Sequence, residues 1–335
     1  MFKARRFLAI FKTRNLEFWR DRSALSWNLA FPLLLIVGMA VVFDKPNTTE
    51  LKVGLVDTQE KPSELETIKY TEFVFYQSQQ EANNKLSHHQ IDLVINPTLK
   101  LYYVNQQSSK GYLALGVLSD YLASFEQQQV NGQAIRYVDW VVPGILSMNV
   151  MFSSLFGVGY VIVRYRKNGV LKRISATPVS SIEFITAQLL SRFMIVLAIS
   201  SSIFLITWLS LGFLVEGSLM LLLLILALGT ASLVALGLLV AARLQSEELT
   251  GGLLNMASWP MMLLSGVWFS LEGAPQWVQS AAQLLPLTHM IDALRAVMID
   301  GAGIQEVAWH LMILTLMTIV FVTLGAKFFS WGSNR

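Results

Sequence analysis

The chain has no cysteine among its 335 residues. It therefore contains neither a disulfide framework nor a thiolate metal site, and a domain outside the cytoplasm would fold without disulfides. Charged residues are also scarce, at 14% of the chain, against roughly 25% in soluble domains. Hydrophobic residues make up 54% and occur in blocks, so much of the chain is predicted to lie in a lipid bilayer.

Nucleotide-binding and catalytic motifs are missing as well. The sequence has no G-x-x-x-x-G-K-[ST] phosphate loop, which excludes ATP binding of that kind by this chain. The metalloprotease motif H-E-x-x-H and the hydrolase motif G-x-S-x-G are also absent. We therefore expect no enzymatic activity, and no cofactor or metal bound by this chain.

Six apolar segments approach the ~20 residues that a helix needs to cross a bilayer. They are residues 23–43, 137–163, 184–211, 218–242, 251–271 and 307–328. The first follows a long basic leader and lacks a cleavage site, so it is predicted to be a retained helix rather than a signal peptide. The segment interiors contain almost no ionisable residue, which disfavours a transporter coupled to protons or sodium.

Lysine and arginine are concentrated at both ends of the chain and in one loop. They occur in residues 1–22, in the loop 164–183 and from Lys327 into the tail 329–335. Basic segments stay in the cytoplasm, so both termini are predicted to be cytoplasmic. Residues 1–22 place their large apolar side chains near one helical face, which predicts an amphipathic helix on the membrane surface. The alternative is a solvated tail that only sets the topology.

Residues 44–136 differ in composition and are predicted to form a small extracytoplasmic α/β domain. Strands are predicted at 52–57, 72–77, 91–97 and 99–105, and helices at 78–90 and 111–129. The run Gln127 to Gln129 is predicted to belong to the link to the second span. His88 and His89 are adjacent on a polar helix, which favours a solvated surface over a metal site.

The loop 164–183 is longer than a simple chain reversal requires. Five cations precede Thr177-Pro178, and Val170, Leu171 and Ile174 recur at helical spacing. A basic amphipathic helix at this position suggests that a cytoplasmic protein docks there. The loop, the leader ending W-R-D-R, the segment VVPGILSMNV and the segment from PMMLLSGVWF to AVMIDG together resemble the permeases of ABC-2 type transporters.

This resemblance implies the membrane-spanning subunit of a bacterial ABC exporter in the inner membrane, of the multidrug type with an extracytoplasmic domain. It also implies a dimer of two permeases, identical or homologous, each engaging an ABC-type ATPase subunit that binds ATP and Mg. The expected cargo is a hydrophobic or amphiphilic molecule moved outward, and nucleic acid is not an expected partner. Family likeness cannot choose the cargo.

By the same resemblance, the loop contains the coupling helix that docks on the ATPase. Leu171 and Ile174 are the expected apolar anchors, and Glu183 is expected to cap or orient the next span. The alternative for Lys172 and Arg173 is a purely topological charge. The expected docking residues are Gly169, Leu171, Lys172, Arg173, Ile174, Pro178 and Glu183.

The resemblance also places the substrate path between the second and fifth spans of a dimer. Its expected residues are Asn149, Phe152, Asn255, Met256 and Met262, which would form one shared, mostly apolar pocket. The alternative is ordinary packing between helices, which methionines in spans commonly serve.

Residues 272–304 are too polar and too rich in proline breaks to cross the membrane again, and they predict re-entrant helices at the outer face. His289, Asp292 and Arg295 follow one another at helical spacing, so Asp292 can pair with either neighbour. We expect an internally neutralised outer gate rather than a metal or catalytic site.

The predicted fold is an all-α polytopic membrane domain of about six transmembrane helices, at residues 1–43 and 137–335, with the inserted α/β domain. Two other functions remain open at this point. A sensor or assembly scaffold would also combine spans with an extracytoplasmic insert, and an ion-coupled secondary transporter would also be polytopic.

Overall fold

A computed structural model describes residues 3–42, 51–58, 62, 65, 68, 71–87, 91–105, 108–130, 136–268, 271 and 275–331. His88 and His89 lie outside these residues, as do the predicted start of the insert at residues 44–50 and residues 272–274 of the predicted outer helices. The chain separates into two compact units, Met1–Val41 with Val138–Arg335 and Val42–Tyr137.

The first unit is helical in its described part. It consists of α1 (Ala4–Arg20), α2 (Arg22–Val42), α6 (Tyr137–Lys167), α7 (Val170–Ser175), α8 (Ser181–Leu211), α9 (Leu219–Ala241), α10 (Glu247–Leu264), α11 (Gln276–Ala282), α12 (Pro286–Met298) and α13 (Ile304–Phe328). The second unit contains β1 (Leu51–Val56), β2 (Thr71–Tyr76), α3 (Gln79–Ser87), β3 (Leu93–Asn96), β4 (Leu101–Asn105), α4 (Ser109–Val117), α5 (Ser119–Leu122) and β5 (Glu126–Val130).

Four helices of the described chain are long and apolar enough to cross a membrane, namely α6, α8, α9 and α13. They correspond to the predicted second, third, fourth and sixth spans. The predicted first span corresponds to α2, whose apolar part is the shorter stretch Asn28–Ala40. The predicted fifth span corresponds to α10, which begins and ends earlier than 251–271. Its start is fixed by Ser246, whose hydroxyl accepts a hydrogen bond from the Leu249 backbone NH.

Helix α6 is the central helix of this unit. In its most apolar window 67% of the residues are buried, against 11% in α13, so most α13 residues in that window are not buried within this chain. Two glycines of α6 let other segments of the same chain approach this helix closely, as small residues commonly do between membrane helices. A Cβ at Gly144 would lie 2.5 Å from the Val267 carbonyl oxygen, and one at Gly159 would lie 2.7 Å from Leu254 Cδ1.

The second unit is built on a sheet with the strand order β2-β1-β3-β4-β5. β1 pairs in parallel with β2 and β3, β3 and β4 are antiparallel, and β4 and β5 are parallel. Alternate residues of β1 and β3 point to opposite faces. Val53 and Leu55 belong to the core with the buried leucines of α5 and its flank, whereas Val56 packs with Ala82 and Leu86 of α3.

Strand β5 corrects the sequence prediction for residues 126–130. These residues, EQQQV, were predicted to end a helix and begin a link, yet they pair with β4 along its whole length. The strand lies at the sheet edge, and its glutamines are exposed. The sequence EQQQV lacks the alternation of apolar and polar residues by which a strand is usually recognised. The strand becomes evident only from its backbone pairing with β4.

The close approach at Gly144 generates a stability prediction. We expect Gly144→Ala to force the chain at Val267 away from α6 and to lower the free energy of unfolding by about 1 to 3 kcal/mol. Thermal unfolding of the purified protein in detergent measures the effect. The control is Gly38→Ala in α2, because a Cβ there has no atom within 4 Å. Equal unfolding temperatures for the two variants would contradict the packing role of Gly144.

Candidate functional site

The predicted coupling loop is an ordered connection between α6 and α8. Gly169, with φ of +69°, adopts the left-handed conformation that reverses the chain after α6 and starts α7. At the other end Ser180 and Glu183 form a capping box for α8. The Ser180 NH donates to Glu183 Oε2 at 2.8 Å, and the Glu183 NH donates to Ser180 Oγ at 3.2 Å. We call residues 164–183 the coupling segment.

The start of the chain is fastened to this segment. The backbone NH of Lys3 donates to Glu183 Oε1 at 2.5 Å, and the Arg6 guanidinium donates to the Pro178 carbonyl. Further along α1, Arg14 donates to the Tyr165 hydroxyl at 2.7 Å. The fully buried Glu183 carboxylate thus receives hydrogen bonds from two parts of the chain. The sequence predicted a capping or orienting role for Glu183 and missed its bond to Lys3.

Leu171 and Ile174 do not point outward as the predicted anchors should. Leu171 is 0% exposed and packs in a cluster with Val158, Phe184 and Leu238, and Ile174 is partly buried against the same cluster. The predicted role of Leu171 as an anchor on another protein is wrong for this structure, because the apolar side of α7 covers the ends of its own α6, α8 and α9.

The opposite side of the coupling segment is exposed. Lys172, Arg173 and Pro178 are all exposed. Of the predicted docking residues, the cations and Pro178 are therefore available to a partner, whereas Leu171 and Glu183 are buried. Gly169 shapes the turn that presents them.

Arg166 is the residue of this region that sequence reasoning treated only as a topological charge. It is buried, and it donates hydrogen bonds to the carbonyls of Ala241 at 3.1 Å, Ala242 at 2.9 Å, Ser330 at 3.0 Å and Leu244. The last carbonyls of a helix have no partner within it and attract cations. Arg166 therefore joins the end of α6 to the end of α9 and to the chain that follows α13.

A cavity of about 420 Å³ lies between α2, α6 and α8. Two residues of the predicted substrate path, Asn149 and Phe152, line it. The remaining wall is mostly apolar and includes Phe31, Pro32, Leu35, Met148, Phe156, Asn28, Ser153 and Arg192. The sequence did not predict a wall made by α2 and α8.

The other predicted path residues lie elsewhere. Met256 is 72% exposed, Asn255 is exposed and donates its side-chain NH to the Gly251 carbonyl at 2.9 Å, and Met262 is partly buried. Leu254 instead contacts α6 at Gly159. Within one chain the structure does not bring these three residues into the cavity with Asn149 and Phe152.

The predicted outer gate is arranged differently from the expected ion pairs. His289 Nδ1 lies 3.1 Å from His310 Nδ1, and His289 Nε2 lies 2.8 Å from the Gln283 carbonyl oxygen. Arg295 stacks 3.6 Å from the centre of the Trp140 ring and donates to the Gly266 carbonyl at 2.7 Å.

The charge of Arg295 acts on the Asp292 carboxylate, and Asp292 forms no hydrogen bond to His289 in the described chain. The pairing of Asp292 stays a prediction, while His310 and the carbonyls of Trp140 and Gly266 supply further partners to its two neighbours. Sequence spacing could not reveal His310, which is 21 positions away from His289. No group of three or more metal-ligating side chains occurs among the described residues.

Comparison with known proteins gives a consistent result. A family model described as ABC-2 family transporter protein matches residues 22–327. The chain is 29% identical over 183 residues to the Inner membrane transport permease YhhJ of Escherichia coli, covering 54% of this chain and 47% of that protein. It is 21% identical over 254 residues to the "Probable multidrug ABC transporter permease YbhR" of Escherichia coli, covering 68% and 67%.

A third relative is the Linearmycin resistance permease protein LnrN of Bacillus subtilis. It is 24% identical over 181 residues, which cover 52% of this chain and 45% of that protein. The chain thus spans about half the length of YhhJ and of LnrN.

The bonds of Arg166 generate the second stability prediction. Arg166→Gln should lower the free energy of unfolding by at least about 2 kcal/mol, because charge-assisted hydrogen bonds to several buried carbonyls are lost. Thermal unfolding in detergent measures this loss. Arg164→Gln is the control, since it removes the same charge two residues away from an exposed position. A loss of the same size in both variants would assign the effect to charge alone.

Proposed function

Because the chain belongs to the ABC-2 transporter family, and is therefore a multi-pass membrane transport subunit, we propose that it is the permease of an ATP-driven exporter. The chain itself has no phosphate loop. ATP and Mg would accordingly be bound by a separate ABC-type ATPase, with two copies serving two permeases. The names of the relatives, among them transport, multidrug and resistance permeases, support a bacterial inner-membrane exporter.

The observation that carries this proposal is the two-sided construction of the coupling segment. Its exposed side presents Lys172, Arg173 and Pro178, a basic surface suited to acidic groups of an ATPase. Its buried side packs against the membrane helices and caps one of them. Leu171 packs among α6, α8 and α9, and Glu183 caps α8 while holding the start of α1.

Such a segment can pass a displacement from the ATPase to several helices at once. A rigid-body shift of α7 would move the start of α8 through the Ser180 and Glu183 cap. It would also move the end of α6, and through Arg166 the ends of α9 and α13. Interfaces that are packed in this way switch between discrete arrangements rather than deforming continuously.

The proposed cargo is a hydrophobic or amphiphilic molecule such as a drug or lipid. The cavity bounded by Asn149 and Phe152 supports this class, because pockets for such ligands are mostly apolar with a few polar groups. We propose that the exposed side of α10, with Asn255, Met256 and Met262, faces a second permease, identical or homologous, across which the cargo path continues.

We further propose that both termini are cytoplasmic and that the sheet-containing unit is extracytoplasmic. Single cysteines at two exposed positions, Thr98→Cys in that unit and Ser175→Cys in α7, test this topology against a native chain without cysteine. In intact cells an impermeant thiol reagent should label only Thr98→Cys. After permeabilisation both positions should react. Labelling of Ser175→Cys alone in intact cells would invert the topology.

The proposed docking surface predicts that some substitutions weaken ATPase binding without lowering the stability of the permease, and that others lower its stability. Lys172→Ala with Arg173→Ala should reduce co-purification of the ATPase by about tenfold or more, because charge-assisted contacts are lost. Thermal unfolding should stay unchanged. Leu171→Ala should instead lower the free energy of unfolding by about 2 to 5 kcal/mol, since it opens a cavity in the core.

The matched control for docking is Lys12→Ala with Arg20→Ala, which removes two exposed cations from α1. This variant should retain the ATPase. Wild-type co-purification by the Lys172 and Arg173 variant, with substrate-stimulated hydrolysis intact, would show that the coupling segment does not dock the ATPase.

A further inference from the structure

Arg192 is a cation inside a predicted span. It lies 11 residues beyond the first residue of α8, which corresponds to about 16 Å along the helix axis at 1.5 Å per residue. A charged side chain within an apolar membrane helix is costly, and it commonly marks a substrate or ion pathway. The function proposed so far makes no use of it.

Arg192 makes few hydrogen bonds within the described chain, and the charge of a second cation, Arg14, acts on it. Its Nε donates to the Ser153 carbonyl oxygen at 2.8 Å, and its Nη2 donates to the same oxygen. Its guanidinium lies 5.5 Å from the centre of the Phe18 ring. No Asp or Glu of the described residues forms an ion pair with it, and its Nη1 makes no hydrogen bond to them.

Arg166 is an arginine with a purely structural role and provides the comparison for Arg192. Arg166 donates to carbonyls in two separate segments, at the end of α9 and after α13, so its guanidinium is saturated by the protein. Arg192 donates to one carbonyl, that of Ser153. Its guanidinium therefore has fewer hydrogen-bond partners than that of Arg166.

The neighbouring helix leaves room for Arg192. A Cβ at Gly157 of α6 would collide with the guanidinium group. The cavity of about 420 Å³ opens beside it, and both residues line the wall. The absence of a side chain at position 157 thus allows the cation to lie flat against α6 at the edge of the cavity.

A second polar group of the cavity is the Asn149 amide. Asn149 is 8% exposed, lines the cavity and forms no hydrogen bond with the described residues, and its Oδ1 is buried without a donor. A buried amide oxygen without a hydrogen-bond donor destabilises the folded protein. A ligand that hydrogen-bonds to Asn149 would remove this cost.

We propose that the cargo is an amphiphile with an anionic headgroup, a carboxylate or a phosphate, which pairs with Arg192 and hydrogen-bonds to Asn149. Its apolar part would pack against Phe31, Phe152 and Phe156. This inference rests on the proposed export function. An anion neutralises the buried cation, and guanidinium groups suit both carboxylate and phosphate geometry.

Binding by the full-length permease in nanodiscs of zwitterionic phosphatidylcholine tests the site without the ATPase. The probes are a dansyl-labelled undecanoate and its methyl ester, which differ in charge and share the apolar part. Wild-type protein should bind the carboxylate about tenfold more tightly than the ester or better, as expected for a charge-assisted contact. Arg192→Gln should remove this preference and leave ester binding unchanged.

Three further variants show whether the preference for the carboxylate depends on the charge at position 192 and on the cavity beside it. Arg192→Lys should retain part of the preference, and the exposed-site control Arg164→Gln should retain all of it. Phe152→Trp should weaken both probes by filling the cavity, which provides a readout if Arg192→Gln does not fold. Equal binding of the two probes by wild type, or an undiminished preference in Arg192→Gln, would overturn the proposal.

Reconstitution with the ATPase distinguishes cargo from a resident lipid. ATP-dependent, Arg192-dependent export of the undecanoate probe supports the cargo assignment. An anionic membrane lipid that co-purifies with wild type but not with Arg192→Gln, and that ATP does not discharge, would overturn it. Failure to export either probe, with the binding preference intact, would contradict the export function and would still support an anion site at Arg192.

Discussion

Arg166 donates hydrogen bonds to carbonyl groups at the end of α9 and in the chain that follows α13, while its own backbone belongs to the last turns of α6. The carbonyls of Ala241 and Ala242 lie at the end of α9 and have no partner within that helix. The helix ends are therefore held together at one point. The rest of the coupling segment is built around that point, because α7 begins three residues after α6 ends.

The coupling segment has one side buried against the ends of α6, α8 and α9 and another side exposed. Leu171 fills the space between the helix ends, and Glu183 fixes both the start of α8 and the start of the chain. The side chains left outward include the cations Lys172 and Arg173, together with Pro178 and the apolar Ile182. Under the proposed function, one side of α7 stabilises the fold and the other side docks the ATPase.

Two arginines of the helical unit, the buried Arg166 and the partly buried Arg192, represent two uses of the same residue. Arg166 is saturated by backbone carbonyls and closes the structure at the α7 end. Arg192 bonds to one carbonyl beside a cavity that Gly157 keeps open. Burial of a guanidinium is favourable only when its charge and its donors are satisfied. The number of partners therefore distinguishes Arg166, which has a structural role, from Arg192, which we propose to bind an anionic group.

The sequence by itself determined what depends on local composition. Long apolar helices, the basic segments and the strands β1 to β4 follow from hydrophobic runs, periodicity and residue type. The capping role of Glu183 was expected from the family resemblance, and the part of Ser180 is visible only in the structure. Only the tertiary structure decided which side chains meet. Helical spacing placed Leu171 and Ile174 on one side of α7 but could not show that this side covers its own chain. It placed His289 and Arg295 near Asp292 but could not show that His310 and the Gly266 carbonyl lie against them as well. Likewise, β5 depends on pairing with β4, and the surroundings of Arg166 and Arg192 come from residues as distant as Ser330 and Ser153. Contacts between distant segments depend on how the whole chain packs, which the local pattern of residues does not encode at any single position.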